Sequence, residues 1–160
     1  MNRAMLTVVA TTLLAALGGV AAVPAADAAL TGVVGNWQTE PDDGAVGIVQ
    51  ISVDAAGNMQ GRIVGGNHPG LKDVKNPAPA ARDIALRGQV ILRGMKYEGG
   101  GRWSGGTIYR ASNGKIYKCN VTLDADGKLN VRGYIGFSLL GSTQEWTRYT
   151  GTSMDLPPAH

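Results

Sequence analysis

The sequence predicts an all-β protein, folded as a single eight-stranded antiparallel up-and-down barrel. Short runs in which apolar and polar residues alternate recur along the chain, turn residues separate these runs, and helix signals are few. Glycines inside several strand patterns favour a closed barrel over a sandwich, because they let strands bend sharply. These glycines are Gly47, Gly61, Gly94, Gly105, Gly106, Gly133 and Gly136.

A targeting segment is expected before the barrel. Arg3 precedes an uncharged run at residues 4–23, and Ala26-Asp27-Ala28 puts small residues where a signal peptidase reads. We expect a signal peptide over residues 1–28, cleaved after Ala28 or, as a second choice, after Ala22, and export to the periplasm or out of the cell. A retained anchor is the rival interpretation. The apolar run is rather short for a spanning helix, so no stable membrane span is expected after cleavage.

The rest of the chain is long enough for one domain, predicted over residues 29–150 and followed by a flexible tail at 151–160. Cys119 is the one cysteine of the sequence, so no intramolecular disulfide is possible. In an exported protein the core must then hold the fold without covalent help.

Eight segments are predicted as strands. The clearest is 115–123, in which Tyr117, Cys119 and Val121 share one face while lysine, asparagine and threonine share the other. Asp126-Gly127 follows as a tight hairpin turn, because glycine adopts a positive φ at little cost. Similar turns are expected at Asn113-Gly114 and Gly57-Asn58. In chain order the strands are predicted at 33–39, 45–53, 58–64, 89–97, 102–109, 115–123, 128–136 and 142–149.

Residues 65–88 break this rhythm, since the segment is long, basic and rich in proline. We interpret it as a loop with one helical turn within 79–86. Its most suggestive polar group is Asp73, Lys75 and Asn76. Long loops often form the mouth of a barrel, so these side chains could contact a ligand. Aspartate and Asn-Pro also start turns, so a purely structural role is the alternative.

The net charge is +3, and the positive charge is concentrated in the middle of the chain. Residues 72–118 hold ten basic side chains against three acidic ones. Such a surface could face anionic lipid, glycan or an acidic partner, although solvated strand faces would give the same pattern. No nucleic-acid motif or basic run interleaved with aromatic residues is present, so nucleic acid is not an expected partner.

Catalytic and metal-binding patterns are weak. His68 has no ligand partner at a recognisable spacing, and Cys119 lies on an apolar strand face where an inert thiol is expected. Glu40, Asp42 and Asp43 form an acidic patch in a turn, which by spacing alone does not define an acid–base pair. We therefore predict no enzyme activity, no metal and no cofactor.

Two tryptophan motifs support closure of the barrel. Gly35 and Trp37 form a G-x-W opening, and Arg148 follows the last tryptophan by two residues. This arrangement resembles the lipocalin and calycin barrels, in which the first-strand tryptophan plugs one end and a last-strand arginine packs over its ring. The resemblance implies that Gly35, Trp37 and Arg148 close the barrel.

A wider resemblance covers nearly the whole expected mature chain. The order of motifs is similar to that of an exported bacterial family known as a domain of unknown function, family 2147, and it implies a lipocalin-like barrel without an agreed chemistry. The motifs are G-N-W-x-T at 35–39, D-V-K-N-P at 73–77, L-R-G-x-V-I-L at 86–92, W-S-G-G-x-I-Y at 103–109, N-G-K-x-Y at 113–117, L-N-V-R-G-Y-I-G-F at 129–137 and G-S-T-Q-E-W-T-R at 141–148.

A closed barrel can hold one small ligand at its open end, so the sequence predicts an envelope protein that binds a small apolar or amphipathic molecule. The alternative is an envelope interaction protein that uses the basic segment 72–118; an enzyme is the weakest of the three hypotheses. The residues predicted to line the pocket or contact the ligand are Trp103, Tyr109, Tyr117, Cys119 and Val121, with Asp73 and Asn76 from the long loop.

Overall fold

A computed structural model describes residues 25–137 and 139–158. Residues 1–24 of the predicted signal peptide lie outside the described residues, and its last four residues begin a short helix. No helix in the described part of the chain is long and apolar enough to cross a membrane. The elements are α1 (Ala25–Val33), β1 (Gly35–Gln38), β2 (Gly47–Val53), β3 (Met59–Gly66), β4 (Val90–Gly99), β5 (Arg102–Arg110), β6 (Lys115–Leu123), β7 (Leu129–Tyr134) and β8 (Gly141–Arg148).

The strands form one closed antiparallel barrel, which confirms the predicted fold. Neighbours follow chain order from β1 to β8. The ring closes where β8 pairs with β1, with Trp37 opposite Arg148 and Gln38 opposite Thr147. Each predicted strand segment overlaps one observed strand, and the ends differ by at most two residues.

The hairpin turns follow the glycine signals. Gly57, Gly114 and Gly127 have φ values of 83°, 69° and 80°, a region that favours glycine. Gly105, at φ 73°, lies where the β5–β6 register shifts, so it serves a bulge inside a strand. Three of these glycines therefore serve turns between strands, and Gly105 serves a bulge within one.

The barrel is filled at the end covered by α1. Val33 of α1 is fully buried there, and its carbonyl accepts a hydrogen bond of 2.8 Å from Nε1 of Trp37. Nε1 of Trp103 donates to the carbonyl of Gly57 in the β2–β3 turn at 3.1 Å. Since both indole N–H groups have a partner, two large rings can be buried without an unsatisfied donor. The core therefore occupies this closed end.

A long loop (residues 67–89) connects β3 to β4 at the opposite, open end, as the sequence predicts. It contains one 3-10 turn at Pro79–Ala81, inside the segment where a helical turn is expected. A single bridge between Lys72 and Ala85 brings the two arms of the loop together.

The segment after β8, which the sequence predicts to be flexible from Gly151, contacts β3. The amide of Gly66 donates to the carbonyl of Met154 at 2.9 Å, and the amide of Leu156 donates to the carbonyl of Gly66 at 3.0 Å. Asp155 forms an ion pair of 3.0 Å with Arg87 of the long loop. Residues 159 and 160 lie outside the described residues.

Candidate functional site

A cavity of about 650 Å³ opens at the end of the barrel opposite α1. Its inner wall is apolar and reaches down to Trp146 of β8. The loops that join β1 to β2, β3 to β4, β5 to β6 and β7 to β8 surround the opening. The apolar wall comprises Val49, Ile63, Ile91, Ile108, Val131 and Trp146.

Two tyrosines predicted to line the pocket, Tyr109 and Tyr117, do line this cavity. The hydroxyl of Tyr117 accepts a hydrogen bond of 2.8 Å from Nδ2 of Asn113 in the β5–β6 turn. The hydroxyl of Tyr109 donates to Oδ1 of Asp73 at 2.6 Å. Burial, and after it the hydrogen bond and charge of Asp73, raise the pKa of Tyr109 to about 12, so the phenol keeps its proton in the folded protein.

Trp103 and Cys119, also predicted as pocket residues, lie instead in the core at the closed end. Both are fully buried, as inward-facing strand positions require, but neither is among the residues that line the cavity. Trp103 packs against Tyr97 with ring centroids 4.8 Å apart and ring planes tilted by 43°. Burial raises the pKa of the Cys119 thiol to about 12, which leaves very little of the nucleophilic thiolate at neutral pH. Val121 belongs to the same core cluster.

Asp73 and Asn76 form a compact turn in the long loop. Asp73 is fully buried, and its Oδ2 accepts 2.7 Å from Nδ2 of Asn76. The backbone amide of Asn76 donates to the Asp73 carbonyl at 2.9 Å, and Oδ1 of Asn76 accepts from the amide of Ala78 at 2.9 Å. These contacts are the ones expected if Asp73 and Asn76 form a turn, which is the structural alternative to contact with a ligand. Through Tyr109 they fix the long loop to β5, which places Val74 and Lys75 at the opening.

An ion pair spans the opening. Arg110, at the end of β5, donates from Nε to Oδ2 of Asp42 in the β1–β2 turn at 3.0 Å, and Ser112 Oγ donates to the same oxygen at 2.7 Å. The hydrogen bond from Arg110 is the largest cause of a lowered pKa at Asp42, so this carboxylate stays ionised. The sequence shows Asp42 only as part of an acidic patch. Its partner is 68 residues away, and no local pattern connects the two.

His68 lines the cavity from the long loop. Its neighbour Asn67 holds the β1–β2 turn in place: Oδ1 accepts from the amide of Val46 at 2.8 Å, and Nδ2 donates to the carbonyl of Gly44 at 3.0 Å. Within residues 25–137 and 139–158, no three His, Cys, Asp or Glu side chains are grouped so that they could hold a metal ion. Polar groups at the opening, such as Asp42 and Asn67, take part in hydrogen bonds and ion pairs.

A closed eight-stranded barrel, plugged by tryptophan at one end and open to an apolar cavity at the other, defines a lipocalin-like architecture. A solved structure of a Helicobacter pylori protein, described as belonging to the lipocalin family, is similar in fold, with a TM-score of 0.67 and 22% sequence identity over 74% of this chain and 83% of that chain. No match was found among curated proteins. Residues 35–148 match the family described as an uncharacterized protein conserved in bacteria (DUF2147). The chain belongs to this family, which confirms the resemblance carried by the sequence motifs.

Proposed function

We propose that this protein is an exported, non-catalytic carrier that holds a small amphipathic molecule in its barrel within the cell envelope. The observation that carries this proposal is the cavity of about 650 Å³. Ligand pockets for small molecules span roughly 300–1,000 Å³ and are mostly apolar with a few polar groups. This cavity has that size and that division of chemistry.

The arrangement of the cavity favours an amphipathic ligand. Burial of apolar ligand surface against the inner wall contributes roughly 25 cal/mol per Å². Polar groups lie at the opening, where Lys75, Arg110 and Tyr117 line the cavity. An apolar body would therefore lie toward Trp146, and an acidic or hydroxylated end would remain near the opening.

Two titratable groups at the cavity, Tyr109 and Asp42, have pKa shifts that favour binding over proton transfer. A general acid or base works best with a pKa near the operating pH. Tyr109 has a pKa of about 12, and the pKa of Asp42 is lowered by Arg110. Near neutral pH neither group is suited to exchange a proton with a ligand.

Quenching of Trp146 fluorescence by a brominated stearate tests whether the cavity is accessible, because this indole lines the cavity wall whereas Trp37 and Trp103 do not. We expect saturable quenching in the wild-type protein. Ile108→Trp places a large side chain in the cavity and should weaken binding of the brominated stearate by about tenfold or more. The affinity is measured by how well the brominated stearate displaces a non-brominated competitor. Thr107→Trp is the matched control, because Thr107 directly precedes Ile108 in β5 but does not line the cavity. This variant should bind as wild type. Equal binding by both variants, or no saturable binding, would reject the cavity as the site.

The predicted alternative is an interaction surface formed by the whole basic segment 72–118. Ion pairs within the protein reduce the number of basic side chains in this segment that could contact a partner. Lys72 pairs with Asp83 at 2.6 Å, and Arg110 pairs with Asp42. Of the basic side chains in this segment that form no ion pair with a described residue, Lys75, Lys115 and Lys118 are exposed near the barrel opening.

A further inference from the structure

We propose that the open end of the barrel docks onto the surface of an anionic lipid bilayer, so that the cavity opens toward the membrane. The surface consists of an apolar rim and three lysines beside it, Lys75, Lys115 and Lys118. This inference adds a partner to the carrier proposed above, and the docking step does not require that the cavity hold a ligand. The apolar rim comprises Val74, Ile116, Ile135, Phe137, Leu139 and Leu140.

The apolar rim is unusually exposed. Ile135, Phe137, Leu139 and Leu140, in the β7–β8 connection, are 62%, 79%, 89% and 74% exposed. Scattered exposed apolar residues are ordinary, but a contiguous set of large ones marks an interaction site. The sequence from Ile135 to Leu140 also contains no charged residue. A loop whose only requirement is solubility would be expected to carry charged side chains.

Backbone pairing brings the separate parts of the rim together. Lys118 of β6 lies opposite Tyr134 of β7, so Ile116 lies beside the start of the β7–β8 connection. The carbonyl of Lys75 approaches Gly114 so closely that a Cβ there would be 1.9 Å away. This contact holds Val74 and Lys75 against the β5–β6 turn.

The same residues surround the cavity opening. Val74, Ile135 and Leu140 line the cavity and are also exposed to solvent. Apolar side chains that continue from a cavity wall onto the outer surface give an amphipathic molecule an apolar route between a bilayer and the barrel. The position of the rim thus relates the surface to the cavity.

The charge beside the rim selects the partner. Lys75, Lys115 and Lys118 are exposed and form no ion pair with any residue that the structure describes. Lysines near an anionic membrane are attracted to its surface, and the attraction falls off as salt screens it. A second copy of this chain would bring the lysines against one another, whereas an anionic bilayer satisfies both the charge and the apolar side chains.

Vesicle co-sedimentation tests the docking. Protein recovered from the cell envelope should bind vesicles of phosphatidylglycerol and phosphatidylethanolamine, and added salt should weaken that binding. Phe137→Ser with Leu139→Ser should lower the partition coefficient by about tenfold to a hundredfold. Lys115→Glu with Lys118→Glu, two exposed lysines that do not line the cavity, should lower it by about tenfold or more. Val34→Ser and Lys96→Glu, at exposed positions of the closed end, are the matched controls and should bind as wild type.

The two proposals fail separately. Neither docking variant changes a residue that lines the cavity, so both should still show quenching of Trp146 by brominated stearate, which also demonstrates that they fold. Ile108→Trp should still bind vesicles. Binding that is equal for the rim and control variants, or equal for anionic and phosphatidylcholine vesicles, would overturn the docking proposal. Dimerisation in solution that Leu139→Ser abolishes, without vesicle binding, would overturn it in favour of self-association.

Discussion

The guanidinium carbon of Arg148 lies 4.0 Å from the centroid of the Trp37 ring. One guanidinium nitrogen donates 2.8 Å to the carbonyl of Val34, and the other donates to the carbonyl of Gly32 at the end of α1. A Cβ on Gly35 would lie 2.7 Å from the guanidinium, so the absence of a side chain there makes room for it. One arginine therefore connects the first strand, the last strand and the helix that covers the closed end.

Replacing this arginine should weaken the closed end. Arg148→Ala removes a cation–π contact worth about 0.5–2 kcal/mol and two charge-assisted hydrogen bonds to carbonyls. We expect the free energy of unfolding, measured by urea denaturation, to fall by about 1–3 kcal/mol. Arg148→Lys should recover only part of this, because an ammonium lacks the planar fork.

Arg102→Ala is the matched control for that measurement, since Arg102 is exposed on β5. Its effect should stay within about 0.5 kcal/mol. If Arg148→Ala and Arg102→Ala have the same effect, Arg148 does not hold the barrel closed.

The Tyr109–Asp73 contact should appear in the alkaline stability of the protein. The pKa of Tyr109 rises from an ordinary 10.0 to about 12 on folding, so its stabilising contribution is complete below pH 10 and is lost as the pH rises through 12. Tyr109→Phe should therefore reduce the fall in unfolding free energy between pH 10 and 12. Absorbance titration should show that Asp73→Asn lowers the pKa of Tyr109 but leaves it raised, because burial is the larger cause. A pH slope that is unchanged in Tyr109→Phe would refute this assignment.

Cys119 should be chemically inert in the folded protein. Its thiol is fully buried in the closed-end core and has a pKa of about 12, so both access and ionisation oppose reaction. A thiol-specific disulfide reagent near neutral pH should react with it at the rate of unfolding in native conditions and rapidly in denaturant. Rapid, complete reaction of the native protein would show that this end of the barrel opens readily.

Gly65→Ala should detach the segment after β8. A Cβ at position 65 would lie 1.9 Å from the carbonyl oxygen of Met154, and backbone atoms cannot give way without moving the segment. We expect faster hydrogen exchange at the amides of Gly66 and Leu156 and earlier proteolysis after β8. Gly70→Ala, where a Cβ meets no atom within 4 Å, should leave both unchanged. Unchanged exchange in Gly65→Ala would mean that this contact is not maintained in solution.

The strands and turns of the barrel can be predicted from the sequence because their signals are local. Alternation in 115–123 predicts which side chains of β6 face inward, and glycine at positions 114 and 127 predicts the turns on either side. Closure itself is a non-local property. Glycines inside the strand patterns favour it, and the resemblance carried by Trp37 and Arg148 implies it, but no periodicity predicts it.

The same signals do not predict how far along the barrel axis a residue lies. Alternation places Tyr117 and Cys119 on one face, but Tyr117 lines the cavity and Cys119 lies in the closed-end core. The boundary between them depends on how deeply Trp103 and Trp146 fill the barrel, which is a matter of packing across the ring. The Asp42–Arg110 pair was missed for a related reason, since residues 68 positions apart meet only after closure.

Native mass spectrometry of the protein recovered from its own cells tests the central claim most directly. If the cavity is a binding site, the wild-type protein should carry a small molecule of defined mass that is released on unfolding. Ile108→Trp should carry much less of it, and Thr107→Trp should carry as much as wild type. A wild-type protein whose mass equals that of the polypeptide alone, and which takes up no amphipathic molecule when supplied with envelope lipid extract, would contradict the account.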